Sequence, residues 1–348
     1  MKAVLNNLCQ ITALTVVFAS YGQNAHAADT PAPPPTPLHI EKSVEKITNQ
    51  LKQLCPLADP ASQTAFDQCR QALFTDSLLK QAMVKPVISW GRQKDPELPL
   101  KETNLTQFAP DILTGLYMPL FMFDGQYKIA YVEREKLFMA TLGVGFRNRL
   151  QPGQFPYPFW HDANKWEMYE NARSLYLWLD PQTGLIRFAQ FSNRGDPVDG
   201  HVVTKATPPA FDGKWLWTDA QGKTQPAVTL FDGLYREDNP YKQQLDKSYR
   251  EFATSLRDSQ CLNCHVPNNP DKMKRLVLLQ SPAHASGEIH RVLKSVRERK
   301  MPLDEQGIEK TLDPAMEKTL LEKGGAFEKF VDAAIEWERT QAPRTPTK

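Results

Sequence analysis

One stretch of this 348-residue chain has residue types and spacing that prescribe a chemistry: Cys261-Leu262-Asn263-Cys264-His265. Two thiols three positions apart, with an imidazole next to the second, have the attachment spacing of a c-type haem. The thiols add across the two vinyl groups as thioethers, and the imidazole is presented to the iron as proximal ligand. The spacing is strict because two covalent bonds and one Fe–N bond must meet a single rigid macrocycle. A thioredoxin-like dithiol is the first rival. It opens a helix after a strand of a βαβ unit, whereas this pair closes a helix in an all-helical region. Zinc is the second rival and needs further ligands, but no second Cys-x-x-Cys or His-x-x-x-His is present.

One such motif implies one covalent haem c. The candidate sixth ligand is Met301, which precedes Pro302 in RERKMPLDE, 36 residues beyond His265, on a loop between two expected helices. A thioether there would close the distal side and raise the potential relative to a bis-His site. Met273, His284 and His290 are the other candidates. Met273 reads as core, and His284 and His290 as surface or core positions. A distal site that is open or His-ligated stays an alternative.

The haem reading fits the compartment that the rest of the chain implies. Lys2, the apolar run Ile11–Ser20 and Ala25-His26-Ala27 read as a signal peptide over 1–27, cleaved near Ala27. The run is shorter than the roughly 20 residues that a spanning helix needs. A periplasmic or otherwise exported protein without a membrane span is therefore expected, with a proline-rich linker over 28–37. Cys9 would leave with the signal. In an oxidising compartment thiols tend to pair, and a loop between two helices could bring Cys55 and Cys69 together as a disulfide. Hydrophobic content of 41%, charged content of 24% and a formal net charge of +2 describe an ordinary globular chain and give no warrant for nucleic acid.

The elements that must position these groups divide near residue 238. Residues 38–238 read as a β-rich region with N-terminal helices. Ile40, Val44, Ile47 and Leu51 recur at helical spacing. From about 113 the pattern turns to strands. Leu116–Phe123 and Gln126–Val132 flank Asp124-Gly125 as a hairpin, and Leu137–Phe146 is a further strand. Arg173–Leu179 and Leu185–Ser192 flank DPQTG, and Lys214–Thr218 and Pro226–Phe231 flank DAQGK. An antiparallel barrel or sandwich is the natural sum. Residues 239–340 read as all helical. Asn239-Pro240 caps a helix carrying Leu245, Tyr249, Phe252 and Leu256 on one face. A second helix covers 286–299, with Ile289, Val292, Leu293 and Val296 inward. A third starts at Asp313-Pro314 and breaks at Gly324-Gly325. The last spans about 326–339 and buries Phe327, Phe330, Val331, Ala334 and Ile335. Residues 341–348 read as a frayed tail. The fold class expected is α+β: an antiparallel β-rich domain with flanking helices, then an all-α domain.

On these residues, 239–340 resemble a single-haem cytochrome c domain of the class I type: helix into CLNCH, intermediate helix, Met-Pro loop, terminal helix. The resemblance covers less than a third of the chain. It implies that the first and last helices cross, with Tyr249 and Phe252 near Phe327 and Ile335. It also implies outer-sphere transfer of single electrons by a six-coordinate haem. The separation of His265 and Met301 is short for the family, a departure that bears on the ligand pair. The function expected is an exported monohaem electron carrier fused to a β-rich partner- or substrate-binding domain. The alternative is a haem enzyme or small-molecule sensor with an open distal site.

Residues 271–300 carry an excess of five positive charges, which could steer an acidic redox partner to the haem edge. A solvated helix face accounts for the same pattern. In the front region, QPGQFPYPFWHDANKW (151–166) with His161, and Arg194, Asp196 and Asp199 in 191–201, read as a core corner and a turn, with a covering loop or polar site as the sharper options. Trp215 and Trp217 read as strand packing.

Overall fold

The computed structural model describes residues 33–57, 61–83, 88–93, 95–103, 105–148, 169, 172–194, 216–218, 224–226, 235–236, 238–261, 264–265, 282–304 and 306–341. The fold is mixed α/β: a six-stranded sheet with helices before and after it in the chain. Helices α1 (Leu38–Leu54), α2 (Gln63–Thr75) and α3 (Leu78–Gln81) come first. The apolar stripe expected for α1 is the buried one, since Ile40, Val44, Ile47 and Leu51 all lie in the core. Ser62 and Ser77 cap α2 and α3 by accepting from Ala65 N and Lys80 N. The expected bond between Cys55 and Cys69 is present, with Cα atoms 4.9 Å apart, and joins the end of α1 to α2.

The strands are β1 (Ile88–Arg92), β2 (Thr106–Phe108), β3 (Phe121–Val132), β4 (Leu137–Phe146), β5 (Ser174–Leu179) and β6 (Ile186–Ser192), in spatial order β2-β1-β6-β5-β4-β3. Among the described residues the sheet is open, with β2 and β3 at its edges, in place of the expected barrel or sandwich. It is also not wholly antiparallel, because β1 runs parallel to β6. On one face Trp90, Phe121, Phe146 and Phe191 meet under the helices. The other face is covered by a smaller cluster of Leu100, Leu137, Tyr176 and Trp178. Every residue of β5 is buried, as a strand covered on both faces requires.

Two hairpins lie at one end of the sheet. The DPQTG turn is as expected: Asp180 Oδ1 accepts from Gln182 N and Thr183 N, and Gly184 has φ of +67°. The turn between β3 and β4 is Glu133–Lys136, not Asp124-Gly125. The segment read as a strand from Leu116 is instead helical: α4 (Pro110–Ile112) continues as a π turn, Leu113–Tyr117, and a 3-10 turn, Met118–Leu120. Its uniform apolar character hid the period. At Asp124-Gly125 the strand bulges and carries on, with the register shifting between Phe123 and Tyr127. Gly125, at φ of +86°, supplies the left-handed backbone of the bulge, and the flexible Lys52 side chain of α1 lies over it, with Cδ 2.5 Å from where a Cβ would fall. Around DAQGK, β7 (Leu216–Thr218) pairs antiparallel with β8 (Thr224–Pro226), which meets the expected strand Pro226–Phe231 only at Pro226; 214–215 and 227–231 lie outside the described residues.

Among the described residues three helices follow: α5 (Lys242–Asp258), α6 (Pro282–Arg297) and α7 (Pro314–Thr340). Helix α7 is continuous, which corrects the expected break at Gly324-Gly325. A Cβ on Gly324 would sit 2.4 Å from Leu293 Cδ2 and 3.1 Å from Phe252 Cε2, so the glycine lets three helices meet closely. That packing offsets the helix cost of about 1 kcal/mol per glycine. Asn239 is a tie more than a cap. Its Oδ1 accepts from Tyr241 N, while Nδ2 donates to Ala334 O and Glu338 Oε1 of α7. One hydrophobic core includes Ile40, Phe121, Phe191, Phe252 and Ala334, from both the sheet and the last helices.

Candidate functional site

The CLNCH segment begins where α5 ends. Gln260, at φ of +61°, turns the chain out of the helix, and its N–H donates to Arg257 O. Cys261 then opens a second turn, in which Cys264 N and His265 N both donate to Cys261 O, at 3.3 and 3.1 Å. These i→i+3 and i→i+4 bonds put Cys261, Cys264 and His265 on one side of a single helical turn. Cys261 is partly buried against the main core, and Cys264 is exposed. Burial pushes the Cys261 thiol up to about 11. An attacking dithiol needs the opposite shift, toward a thiolate. Two thiols and an imidazole on one turn are a donor set that fits a covalently attached haem.

The directions of three helices decide where Met301 stands relative to this turn. Tyr249 and Phe252 of α5 pack on Phe327 of α7, with ring centroids 5.5 and 5.8 Å apart, while Asn239 at the start of α5 bonds to Glu338 near the end of α7. Thus α5 runs antiparallel to α7. The expected contact of Tyr249 and Phe252 with Phe327 is there. On α6, His290 bonds to Asp332 and Glu328, and Leu293 packs at Gly324, so α6 is antiparallel to α7 as well. Helices α5 and α6 therefore point the same way. Cys261 follows Phe252 by nine residues and Met301 follows Leu293 by eight. Helix α5 ends at Asp258 and α6 at Arg297, so each candidate lies within about one turn's length of chain beyond its helix, past the Gly324 crossing. The CLNCH turn and Met301 leave the three-helix unit at the same end.

Met301 is partly buried and begins a loop fixed by its own hydrogen bonds. Lys310 N donates to Pro302 O at 2.9 Å, Leu303 bridges Glu309, and Asp304 Oδ1 accepts from Gln306 N and Ile308 N. The other expected candidates are employed elsewhere. His284 is fully buried, its Nε2 is 3.3 Å from Tyr117 Oη, and burial pulls it down to about 3. His290 is exposed and paired with two α7 carboxylates. Met273, His161, Asp196, Asp199 and Trp215 lie outside the described residues, as do the signal-peptide segment and residues 28–32 of the linker. The side chain of Trp217 lies outside them as well. Arg194 is described at the start of the 194–199 segment, where its N–H donates to Ser192 Oγ.

The cationic stripe on α6 is partly neutralised by partners on both α6 and α7. Arg291 pairs with Glu288, Lys294 and Lys300 with Glu298, and Arg297 with Glu328 of α7. In the sequence Glu288 counts only toward the charge balance of 271–300, with no sign of its burial. It is buried, accepts from Ala109 N at the start of α4, and desolvation raises its carboxyl to about 7. The signal was local: Gly287 beside it allows contact so close that a Cβ would meet Ile112 Cδ1 at 2.5 Å.

Among the described residues, no three His, Cys, Asp or Glu side chains converge as for a bare metal ion, and no helix is long and apolar enough to cross a membrane. No protein-family model, curated protein or solved structure matches the chain.

Proposed function

We propose that this protein is an exported monohaem c-type cytochrome that carries single electrons. The observation that supports it most is the common end of the three-helix unit, from which the Cys261–His265 turn and Met301 both emerge. Cys261 and Cys264 would hold the porphyrin through thioethers, with His265 as proximal and Met301 as distal iron ligand. Bound haem would supply a one-electron couple. The chain would supply its setting: Cys261 against the main core, and a loop at Met301 held by the Pro302–Lys310 and Asp304–Ile308 hydrogen bonds. Such a fixed ligand loop suits outer-sphere transfer, in which geometry changes little between oxidation states. The six-stranded sheet would serve as a partner- or substrate-binding region, with a redox protein as the electron partner and the periplasm or another exported compartment as the location.

The test is a pyridine haemochrome spectrum of protein matured in a periplasm. One haem per chain is expected, with an α-band position typical of two saturated vinyl groups and no pigment extracted by acidified butanone. Colourless protein, or pigment that moves to the organic phase, would overturn the reading.

A further inference from the structure

The end of the sheet away from the two hairpins gathers arginines. There β1 leaves at Arg92, β4 leaves just before Arg147, β5 enters just after Arg173, and β6 runs out to Arg194. Backbone bonds fix the arrangement. Gln93 N donates to Phe191 O, Arg173 N to Ser192 O, Val144 N to Arg173 O, and Arg147 N to Leu120 O, all at 2.8–3.1 Å.

Arg147 differs from an ordinary surface arginine. It has no exposed surface, its Nε donates to Pro119 O at 3.1 Å, and its Nη1 and Nη2 meet no acceptor. Arg92, three strands away, likewise has a buried Nε with no acceptor. Among the described residues no carboxylate pairs with either. Arg70 provides an internal contrast. It is also held in from solvent, but Asp67 pairs with it at 2.7 Å and Glu338 adds further attraction. For Arg147, burial alone acts, and pulls the guanidinium down to about 10. An uncompensated buried cation costs several kcal/mol, and orphaned buried donors call for an acceptor from outside the chain.

We propose that Arg147 anchors a binding site for the carboxylate of a small monoanionic molecule at this end of the sheet. With Nε occupied by Pro119, the end-on Nη1/Nη2 edge is the part left to engage, and its two parallel N–H groups match the two oxygens of a carboxylate. A single buried positive charge neutralises one negative charge. A dianionic phosphate or sulfate would bring a second charge into low dielectric without compensation. The site is independent of the haem reading, because it lies on the sheet and its ligation uses no residue of 239–340.

The experiment uses the full mature protein at constant ionic strength. Acetate and benzoate are titrated against acetamide and benzamide as uncharged controls, and against phosphate and sulfate. Thermal midpoint and the ¹⁵N resonances of buried arginine Nη groups are followed. Saturable stabilisation by a monocarboxylate is expected, with one set of guanidinium resonances shifting and no response to the amides. Arg147→Lys keeps the charge but loses the fork and should weaken binding at least tenfold. If that variant does not fold, the guanidinium resonances of the wild type decide alone. The proposal is overturned if no carboxylate saturates, if amides stabilise equally, if phosphate or sulfate binds more tightly, or if Arg147→Lys binds as the wild type does. A colourless preparation that still binds benzoate would sink the cytochrome reading and leave this one standing.

Discussion

The carboxylate of Glu288 accepts a hydrogen bond from the backbone N–H of Ala109 and so joins α6 to the start of α4. Arg291 donates to its other oxygen at 2.7 Å, and Asp111, itself bridged to Lys80, lies close enough to repel it. Desolvation is the largest influence and lifts the carboxyl from 4.5 to about 7. A carboxyl raised in this way keeps its proton in the folded state where the unfolded chain has lost it. Its contribution is full below about pH 4 and falls away as pH rises through 7. A shift from 4.5 to about 7 corresponds to roughly 3 kcal/mol. Glu288→Gln removes this dependence. Denaturant unfolding of both proteins between pH 4.5 and 8 should show the variant gaining on the wild type by up to about 3 kcal/mol as pH rises, apart from a constant offset. A flat difference would mean that Glu288 titrates as it does in the unfolded chain.

His284, one helical turn before Glu288, has the opposite sign. Burial lowers it from 6.5 to about 3, so it folds neutral and must be discharged first at acid pH. Its contribution is full above 6.5 and is lost as pH falls toward 3. Between pH 4.5 and 6.5 the two groups oppose each other, so the wild-type stability curve should be flatter than that of either Glu288→Gln or His284→Gln. The two single variants should tilt in opposite directions when unfolding midpoints are plotted against pH. Tilts of the same sign would refute the pairing.

Substituting Met301 tests the ligand pair. In Met301→Ala the loop keeps the Lys310–Pro302 and Asp304–Ile308 bonds, which do not involve the Met side chain. Folding should therefore be little changed while the distal position opens. The expected result is loss of the ferric methionine–iron absorption band, gain of carbon monoxide binding by the reduced protein, and a lower potential. An unchanged spectrum would assign the sixth ligand elsewhere and favour an enzyme or sensor with an exchangeable distal site.

Thiol counting separates the two cysteine pairs. Cys55 and Cys69 have no exposed surface, so a reductant should reach them only after unfolding. If Cys261 and Cys264 are thioethers, the mature chain in denaturant should give no thiol signal before reduction and two thiols after it. Two before and four after would exclude covalent haem. Replacing Cys55 and Cys69 together by alanine should cost about 3 kcal/mol for a loop of this length, in a protein whose spectrum stays the same.

The parts of the fold that could be read from the chain are those whose signal is local. The α1 stripe from Ile40 to Leu51, strand β4, the Asp180–Gly184 turn and the Cys55–Cys69 bond each follow from spacing within about 20 residues. Strands β1 and β2 escaped because they are short, and because β1 pairs in parallel with β6, about a hundred residues later. Residues 113–120 are buried all round, so no apolar period distinguishes a π turn from a strand. The CLNCH motif was legible by itself. Its shared end with Met301 was not, because that depends on α5 and α6 running the same way along α7. Arg147 was illegible too: its burial comes from Pro119 and the packing around it, not from its neighbours in sequence.

Gly324 and Gly325 look equivalent in sequence and should behave oppositely. At Gly325 an added Cβ meets nothing within 4 Å, so Gly325→Ala should add helix propensity alone and stabilise by about 1 kcal/mol. At Gly324 the same methyl would lie 2.4 Å from Leu293 Cδ2 and 3.1 Å from Phe252 Cε2. Leu293 can rotate away, but both side chains are fully buried, so relief for one crowds another. Overpacking of this kind costs about 1–3 kcal/mol, which exceeds the propensity gain. Gly324→Ala should therefore be net destabilising and should shift α5 and α6, the helices that carry the CLNCH turn and Met301. The comparison is made by denaturant unfolding of the two variants, together with the methionine–iron band. If Gly324→Ala proved as stabilising as Gly325→Ala, the close meeting of α5, α6 and α7 at this residue would be wrong, and with it the shared end from which both candidate ligands leave the unit.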